Sequence, residues 1–249
     1  MGYSECFEPT NIQYGGVFNI RILVAGGAGV LGSTLTKLFL NMGFSVQVVD
    51  ICRKEEAWRI FDHLSQVKYY WKSQNDLSRR DLENIDVVFD CAIGYADRLY
   101  GTESPMTTTL SNVLPSLNIL EQVRKIEKRP VIVYPSSFNA PYGHNEGPIS
   151  EATLPFPTSI YGWTKASVEL LYLTYYFSFD IPIVITRTAS SFGPGGRSDE
   201  LPHKLIFSMI NNMERFYLRS PESKRLWTFA GDVITFYKSF IERVPSMRE

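Results

Sequence analysis

Tyr161 and Lys165 stand four residues apart in the stretch Ser159-Ile160-Tyr161-Gly162-Trp163-Thr164-Lys165. On a helix that spacing puts both side chains on one face. A phenol is a poor acid or base near neutrality, because its pKa is about 10. A fixed ammonium beside it favours the phenolate. Bringing the phenol to about 7 requires roughly 4 kcal/mol of differential stabilisation. A chain with 14 tyrosines throws up one such pair readily by chance, so position carries the information. The pair opens a helix that follows a buried strand, and Ser136-Ser137 stand at that strand's carboxyl end. Open parallel sheets bind ligands at that edge. A serine hydroxyl there can hold a substrate oxygen while Tyr161 moves its proton.

A second constellation is Gly26-Gly27-Ala28-Gly29-Val30-Leu31-Gly32, which contains both G-x-G-x-x-G and G-x-x-G-x-x-G. It follows an apolar strand and opens a helix, the context that a dinucleotide fingerprint requires. Glycine allows a tight turn and lets the backbone approach a pyrophosphate. The N–H groups of the new helix then meet the negative charge. Asp50 ends the second strand, where its carboxylate can accept hydrogen bonds from ribose hydroxyls and would repel a 2′-phosphate. NAD is therefore expected over NADP. Asp76-Leu77, just past the third strand, is placed to meet an adenine, although such a pair is also common in a solvated turn.

These residues need a frame to hold them. Apolar runs read as strands at Ile20–Ala25, Ser45–Val49, Val67–Trp71, Asp86–Cys91, Pro130–Tyr134 and Ile183–Thr186. Helical patterns fall at Val30–Asn41, Thr107–Ile126 and Ser159–Ser178, the last apolar nearly all round. Such alternation predicts an α/β, Rossmann-type, doubly wound parallel sheet covered on both faces. Regularity fades from about Gly193. The expected organisation is an N-terminal arm at 1–18, a NAD-binding Rossmann domain at 19–192 and a small substrate lobe at 193–249.

Composition narrows the class. The 249 residues are 44% hydrophobic with net charge -1, enough for one sizeable core and without the basic excess of a nucleic-acid binder. No apolar run reaches the roughly 18 residues of a membrane span. The first 18 residues, with Glu5, Glu8 and Pro9, lack the apolar stretch of a secretory signal. Three scattered cysteines, Cys6, Cys52 and Cys91, show no metal-ligand spacing. A reduced, cytoplasmic setting is expected.

Taken together the motifs resemble the extended short-chain dehydrogenase/reductases, within them the NAD-dependent epimerase/dehydratase family. The similarity runs from about Ile20 to about Val233. It is carried by the glycine loop, Asp76-Leu77, Cys91-Ala92, Asn112-Val113, Tyr134-Pro135-Ser136-Ser137, Tyr142-Gly143, the Tyr161–Lys165 stretch, Arg187, Phe192-Gly193-Pro194-Gly195 and Arg225-Leu226-Trp227-Thr228-Phe229. The resemblance implies a tightly held NAD, a nucleoside-diphosphate-sugar substrate and a Ser/Thr–Tyr–Lys triad. Ser137 would polarise the sugar oxygen, Tyr161 act as acid and base, Lys165 tune it, and Asn112 support the proton relay. Cofactor contacts would come from Gly26, Gly29, Val30, Leu31, Gly32, Asp50, Asp76, Leu77 and Ala92, with Tyr161 and Lys165 shared. Arg225 would meet the substrate diphosphate, apt for a guanidinium fork.

The sequence also departs from the family. The loop from Ser137 to Gly143 is one residue longer than usual, which leaves Ser136 and Ser137 as alternatives for the functional serine. Phe138-Asn139 stand where the family's dehydratases carry an Asp-Glu pair, so elimination of water is not expected. Ser190 replaces the usual substrate-binding Asn. The chain stops about 17 residues after Asp232, so the lobe is expected to be truncated relative to the family. The expected activity is that of an NAD-dependent epimerase or reductase on a nucleotide sugar. The alternative is a non-catalytic, NAD-responsive binding or regulatory protein on the same fold. A homodimer through helices 107–126 and 159–178 is expected, with no nucleic-acid or membrane partner.

Overall fold

The computed structural model describes residues 20–93, 104–138, 142–143, 147–197, 200–213, 215–218, 221–222 and 224–244. The N-terminal arm and Asn139 lie outside the described residues.

Short runs rich in Val and Ile form β1 (Arg21–Ala25), β2 (Ser45–Asp50), β3 (Lys68–Trp71), β4 (Val87–Asp90), β5 (Val131–Ser137) and β6 (Ile183–Thr188). They make one six-stranded sheet in the order β3-β2-β1-β4-β5-β6, and every neighbouring pair is parallel. Strands buried on both faces read as continuous apolar stretches rather than as alternating ones. Chain order reverses between β1 and β4, which opens a crevice at the carboxyl edge there.

The remaining elements are the helices α1 (Val30–Asn41), α2 (Arg79–Leu82), α3 (Pro105–Val123), α4 (Ile160–Phe179), α5 (Leu201–Ile210) and α6 (Ala230–Ile241), and a two-stranded parallel pair, β7 (Ser190–Phe192) with β8 (Trp227–Phe229). One face of the main sheet packs Ile22, Val24 and Phe89 against Leu35 and Phe39 of α1 and Tyr237 and Phe240 of α6. The other packs Leu23, Val88 and Ile132 against Ile119 and Leu120 of α3 and Val168 and Tyr172 of α4. The fold is thus the doubly wound Rossmann-type sheet, with a small segment after β6 that leaves the sheet and returns through α6. Among the described residues no helix is long and apolar enough to cross a membrane, and no group of side chains could hold a metal ion.

Two strands run two or more residues past their expected carboxyl ends. β5 runs past Tyr134 to Ser137 and β6 past Thr186 to Thr188, because Ser136 pairs with Arg187 and Ser137 with Thr188. Polar side chains at a strand's carboxyl end hide this continuation from a hydrophobicity reading. The region after Gly193 is more regular than its pattern suggested. Val233, Tyr237, Phe240 and Ile241 of α6 join the same core as α1.

Candidate active site

The turn from β1 into α1 is a cradle that side chains would fill. Gly26 has φ +77°, and a Cβ there would lie 2.8 Å from the backbone N and Cα of Ala92. A Cβ on Gly32 would lie 2.1 Å from the Gly26 carbonyl oxygen. Gly29 caps α1 in an extended conformation. Val30, Leu31 and Gly32, the first residues of α1, carry N–H groups with no partner inside the helix. Asp50, the last residue of β2, holds the turn in place. Its Oδ2 accepts from the Ala28 N–H at 2.9 Å and its Oδ1 from the Cys52 N–H at 2.8 Å. These residues therefore converge on one site with Ala92. Asp76 is exposed at the end of a 3-10 turn, while the Leu77 side chain is buried in the core, leaving only its backbone near that edge. Gly26 and Gly32 let the turn close tightly where a Cβ would clash with backbone, which brings the start of α1 to the sheet edge as an extended dinucleotide requires.

The second cluster lies at the carboxyl ends of β4 and β5. Ser159 caps α4 by accepting from the Gly162 N–H at 3.0 Å, which fixes where the helix starts and so sets Tyr161 and Lys165 one turn apart. Tyr161 is partly exposed. Lys165 is 6% exposed. Its Nζ donates to the Pro135 carbonyl at 3.0 Å and lies 4.6 Å from the centre of the Tyr134 ring. Burial pulls its pKa down to about 8, against the opposing pull of Asp90, Cys91 and Glu169. Asn112 of α3 donates to the Thr164 hydroxyl at 3.1 Å, and that hydroxyl donates to the Tyr161 carbonyl at 2.8 Å. Asn112 thereby pins the first turn of α4.

The two serines differ. Tyr134 and Ser136 alternate onto the face covered by α4, and Ser136 is 5% exposed, its hydroxyl without a hydrogen-bond partner among the described residues. Ser137 is the last residue of β5 and is partly open. Ser190 opens β7 and pairs with Trp227 of β8. Arg225 stands two residues before Trp227 and is exposed, so the β7–β8 pair brings it to the neighbourhood of Ser190.

Two polar hubs escaped the sequence reading. Asp90, 1% exposed, accepts from Gln74 Nε2 at 2.8 Å, Ser116 Oγ at 2.6 Å and the Tyr172 hydroxyl at 2.7 Å. A charged residue closing the apolar run Val87–Phe89 was its only signal. Glu169 of α4 is likewise buried and accepts from Arg187 Nη2 at 2.8 Å and Nε at 3.1 Å. Arg187 also donates to the Glu151 carbonyl at 3.0 Å, and its guanidinium lies 5.0 Å from the Tyr142 ring centre. Burial and Glu169 push the Tyr142 phenol up to about 12.

Residues 22–248 match the NAD dependent epimerase/dehydratase family. Protein CapI of Staphylococcus aureus is 28% identical over 239 residues, covering 91% of this chain and 71% of that protein. A dTDP-D-glucose 4,6-dehydratase of Dictyostelium discoideum is 25% identical over 247 residues, covering 91% of this chain and 56% of that protein. The UDP-glucuronic acid 4-epimerase of Bacillus cereus, solved with UDP-glucuronic acid and NAD, superposes with TM-score 0.80 at 28% identity, over 90% of this chain and 73% of that one. With an ordered glycine cradle, a 3-2-1-4-5-6 parallel sheet and a match over most of its length, the chain belongs to the NAD-dependent epimerase/dehydratase family.

Proposed function

We propose that this protein holds NAD across the carboxyl edge of its sheet and epimerises a sugar carbon of a nucleoside-diphosphate sugar or, with NADH as the hydride donor, reduces one. The observation that carries the reading is the setting of Tyr161 and Lys165. They lie one helical turn apart, with the Lys165 ammonium held by the Pro135 carbonyl near the end of β5, in a sheet whose β1–α1 turn carries glycines where a Cβ would clash. Gly26, Gly29, Val30, Leu31 and Gly32 would hold the pyrophosphate. Asp50 would take the ribose hydroxyls, and Asp76, the Leu77 backbone and Ala92 would border the adenosine and the strand crossing.

NAD, when bound, would supply the hydride acceptor and donor for the sugar carbon. Tyr161 would take the proton of the sugar hydroxyl and return it to the same oxygen. Lys165, charged and buried, stabilises the phenolate that does this. Ser137, partly open at the strand end, holds the reacting oxygen; Ser136 is sealed beneath α4 and supports the strand. Asn112 keeps the first turn of α4 in place. Ser190 and Arg225 of the smaller segment would receive the sugar and the diphosphate. Phe138 and Asn139 offer no acid–base pair for eliminating water, so a dehydratase is not proposed. The Bacillus cereus epimerase, 28% identical with UDP-glucuronic acid and NAD bound, supports a UDP-sugar as the first substrate to try. The outer faces of α3 and α4 would pair two copies of the chain, in a cytoplasmic setting.

The test is proton NMR of UDP-glucuronic acid and UDP-glucose incubated with the purified protein and NAD. Appearance of the C4 epimer is the expected result. An unchanged sugar in both mixtures, with NAD bound, would favour a binding protein on the same fold.

A further inference from the structure

The layer between the sheet and the α3–α4 pair contains two buried groups of opposite charge whose relation no motif announces. Asp90 ends β4 and Lys165 lies in the first turns of α4. The β4–β5 register pairs Phe89 with Val133, so the next step along each strand puts Asp90 beside Tyr134. Strand alternation turns both toward the same helices. The contacts agree: the Asp90 carboxylate is held by Ser116 of α3 and Tyr172 of α4, and Tyr134 stacks on Tyr172 with ring centres 5.1 Å apart. The Lys165 ammonium sits over the Tyr134 ring, 4.6 Å from its centre.

A lone ammonium in such a layer is costly, and so is a lone carboxylate. Among the described residues the Lys165 ammonium has one hydrogen-bond acceptor, the Pro135 carbonyl, which supplies a dipole and no charge. Two carboxylates face it. Glu169, on its own helix, is already engaged by the Arg187 guanidinium at 2.8 Å. Among the described residues Asp90 receives only uncharged donors, from Gln74, Ser116 and Tyr172. Its negative charge is therefore not spent on another cation. The other titratable neighbours are Cys91 and the phenols of Tyr134, Tyr172 and Tyr161, and burial holds Cys91, Tyr134 and Tyr172 in their neutral forms by pushing each upward.

We propose that Asp90 is a positioning residue, the buried counter-charge that keeps Lys165 an ammonium and so lets it serve Tyr161. The assignment rests on the proposed chemistry of Tyr161 and Lys165 but adds a residue from a different strand. Three neutral donors fix the carboxylate where it can attract the ammonium through the layer without capturing it in a salt bridge. Lys165 thus stays charged and yet free to turn toward a bound ribose or the phenolate. Among the causes acting on Lys165, Asp90 is the strongest that opposes burial.

The test uses the full chain, as purified, labelled with 13C-lysine. Lys165 is assigned by the resonance lost in Lys165→Arg, and its Cε shift is titrated in the parent and in Asp90→Asn. Asparagine keeps the shape, and the Ser116 and Tyr172 hydroxyls can turn to accept from its amide. The expected result is a midpoint lower by about one pH unit or more, with the alkaline limb of the turnover profile lowered by a similar amount. A folded Asp90→Asn protein with the parental Lys165 midpoint would overturn the assignment. If Asp90→Asn does not fold, Asp90→Glu decides: it keeps the charge, so the midpoint should stay with the parent, and a comparable drop would show that packing sets it. The lysine titration reports on the Asp90–Lys165 coupling alone. Turnover by Tyr161→Phe reports on the catalytic reading alone, so the two failures are distinguishable.

Discussion

At the scale of single residues, the consequences follow from what each group would lose. Folded Lys165 gives up its proton near pH 8, whereas an ordinary lysine holds it to 10.5. Across that window the unfolded chain binds more protons than the folded one, so this group makes stability rise with pH. Relative to Lys165→Met, the parent should gain up to roughly 3 kcal/mol between the two ends of the window. Denaturant unfolding of both proteins on either side of it checks this, and a pH-independent gap would refute it. At the cradle, Gly32→Ala drives a methyl onto the Gly26 carbonyl, 2.1 Å away in the present backbone. Neither partner is a flexible side chain, so NAD binding should be lost, as calorimetry can show. Asp50→Ala removes the acceptor for the Ala28 and Cys52 N–H groups and the repulsion toward a 2′-phosphate. The parent should prefer NAD to NADP, and the variant should bind NAD more weakly with a narrower preference. The placement of the glycines, Asp50, Tyr161 and Lys165 was legible because it depends on spacing within one or two elements. Asp90 was not, since its partners Gln74, Ser116 and Tyr172 meet it only through tertiary packing.

At the scale of elements, the Arg187–Glu169 pair joins β6 to α4 and, through the Glu151 carbonyl, ties down part of the segment between β5 and α4. The Glu169 side chain is 3% exposed, so removing the arginine strands a buried carboxylate. Such losses cost about 3–5 kcal/mol. Arg187→Leu should therefore unfold at distinctly lower denaturant concentration. The double variant Arg187→Leu/Glu169→Leu should recover much of the loss; equal losses in the single and double variants would contradict a charge-pair role. The same elements show where periodicity stops being informative. Helix α1 follows its expected bounds from Val30 to Asn41, because a glycine turn starts it and Gly43 follows its end. The last residues of β5 and β6 are Ser, Arg and Thr, whose pairing is set by the neighbouring strand and not by hydrophobicity. In the same way β7 and β8, of three residues each, are too short to show a period. Helix α6 puts Val233, Tyr237, Phe240 and Ile241 at helical spacing in a region whose pattern read as irregular, and its destination, the face shared with α1, is a tertiary fact.

At the scale of the whole molecule, α3 and α4 bury one side against the sheet and leave Leu110, Leu114, Leu170, Leu173 and Phe177 exposed on the other. Apolar outer faces on two adjacent helices are the surface a twofold dimer would cover. Sedimentation at micromolar concentration should give twice the 28.4 kDa chain mass. Leu173→Glu should shift the species to monomer while leaving the site residues untouched. A parent that sediments as a monomer would count against this surface. The central claim concerns the chemistry that the whole arrangement serves, and one comparison tests it most directly. The parent and Tyr161→Phe are each given NAD and a UDP-sugar, and cofactor binding, the nicotinamide absorbance and the sugar product are followed together. Loss of a single hydroxyl should leave NAD bound with parental affinity and lower turnover by about 100- to 10,000-fold. A Tyr161→Phe protein that converts the sugar at the parental rate would contradict the account.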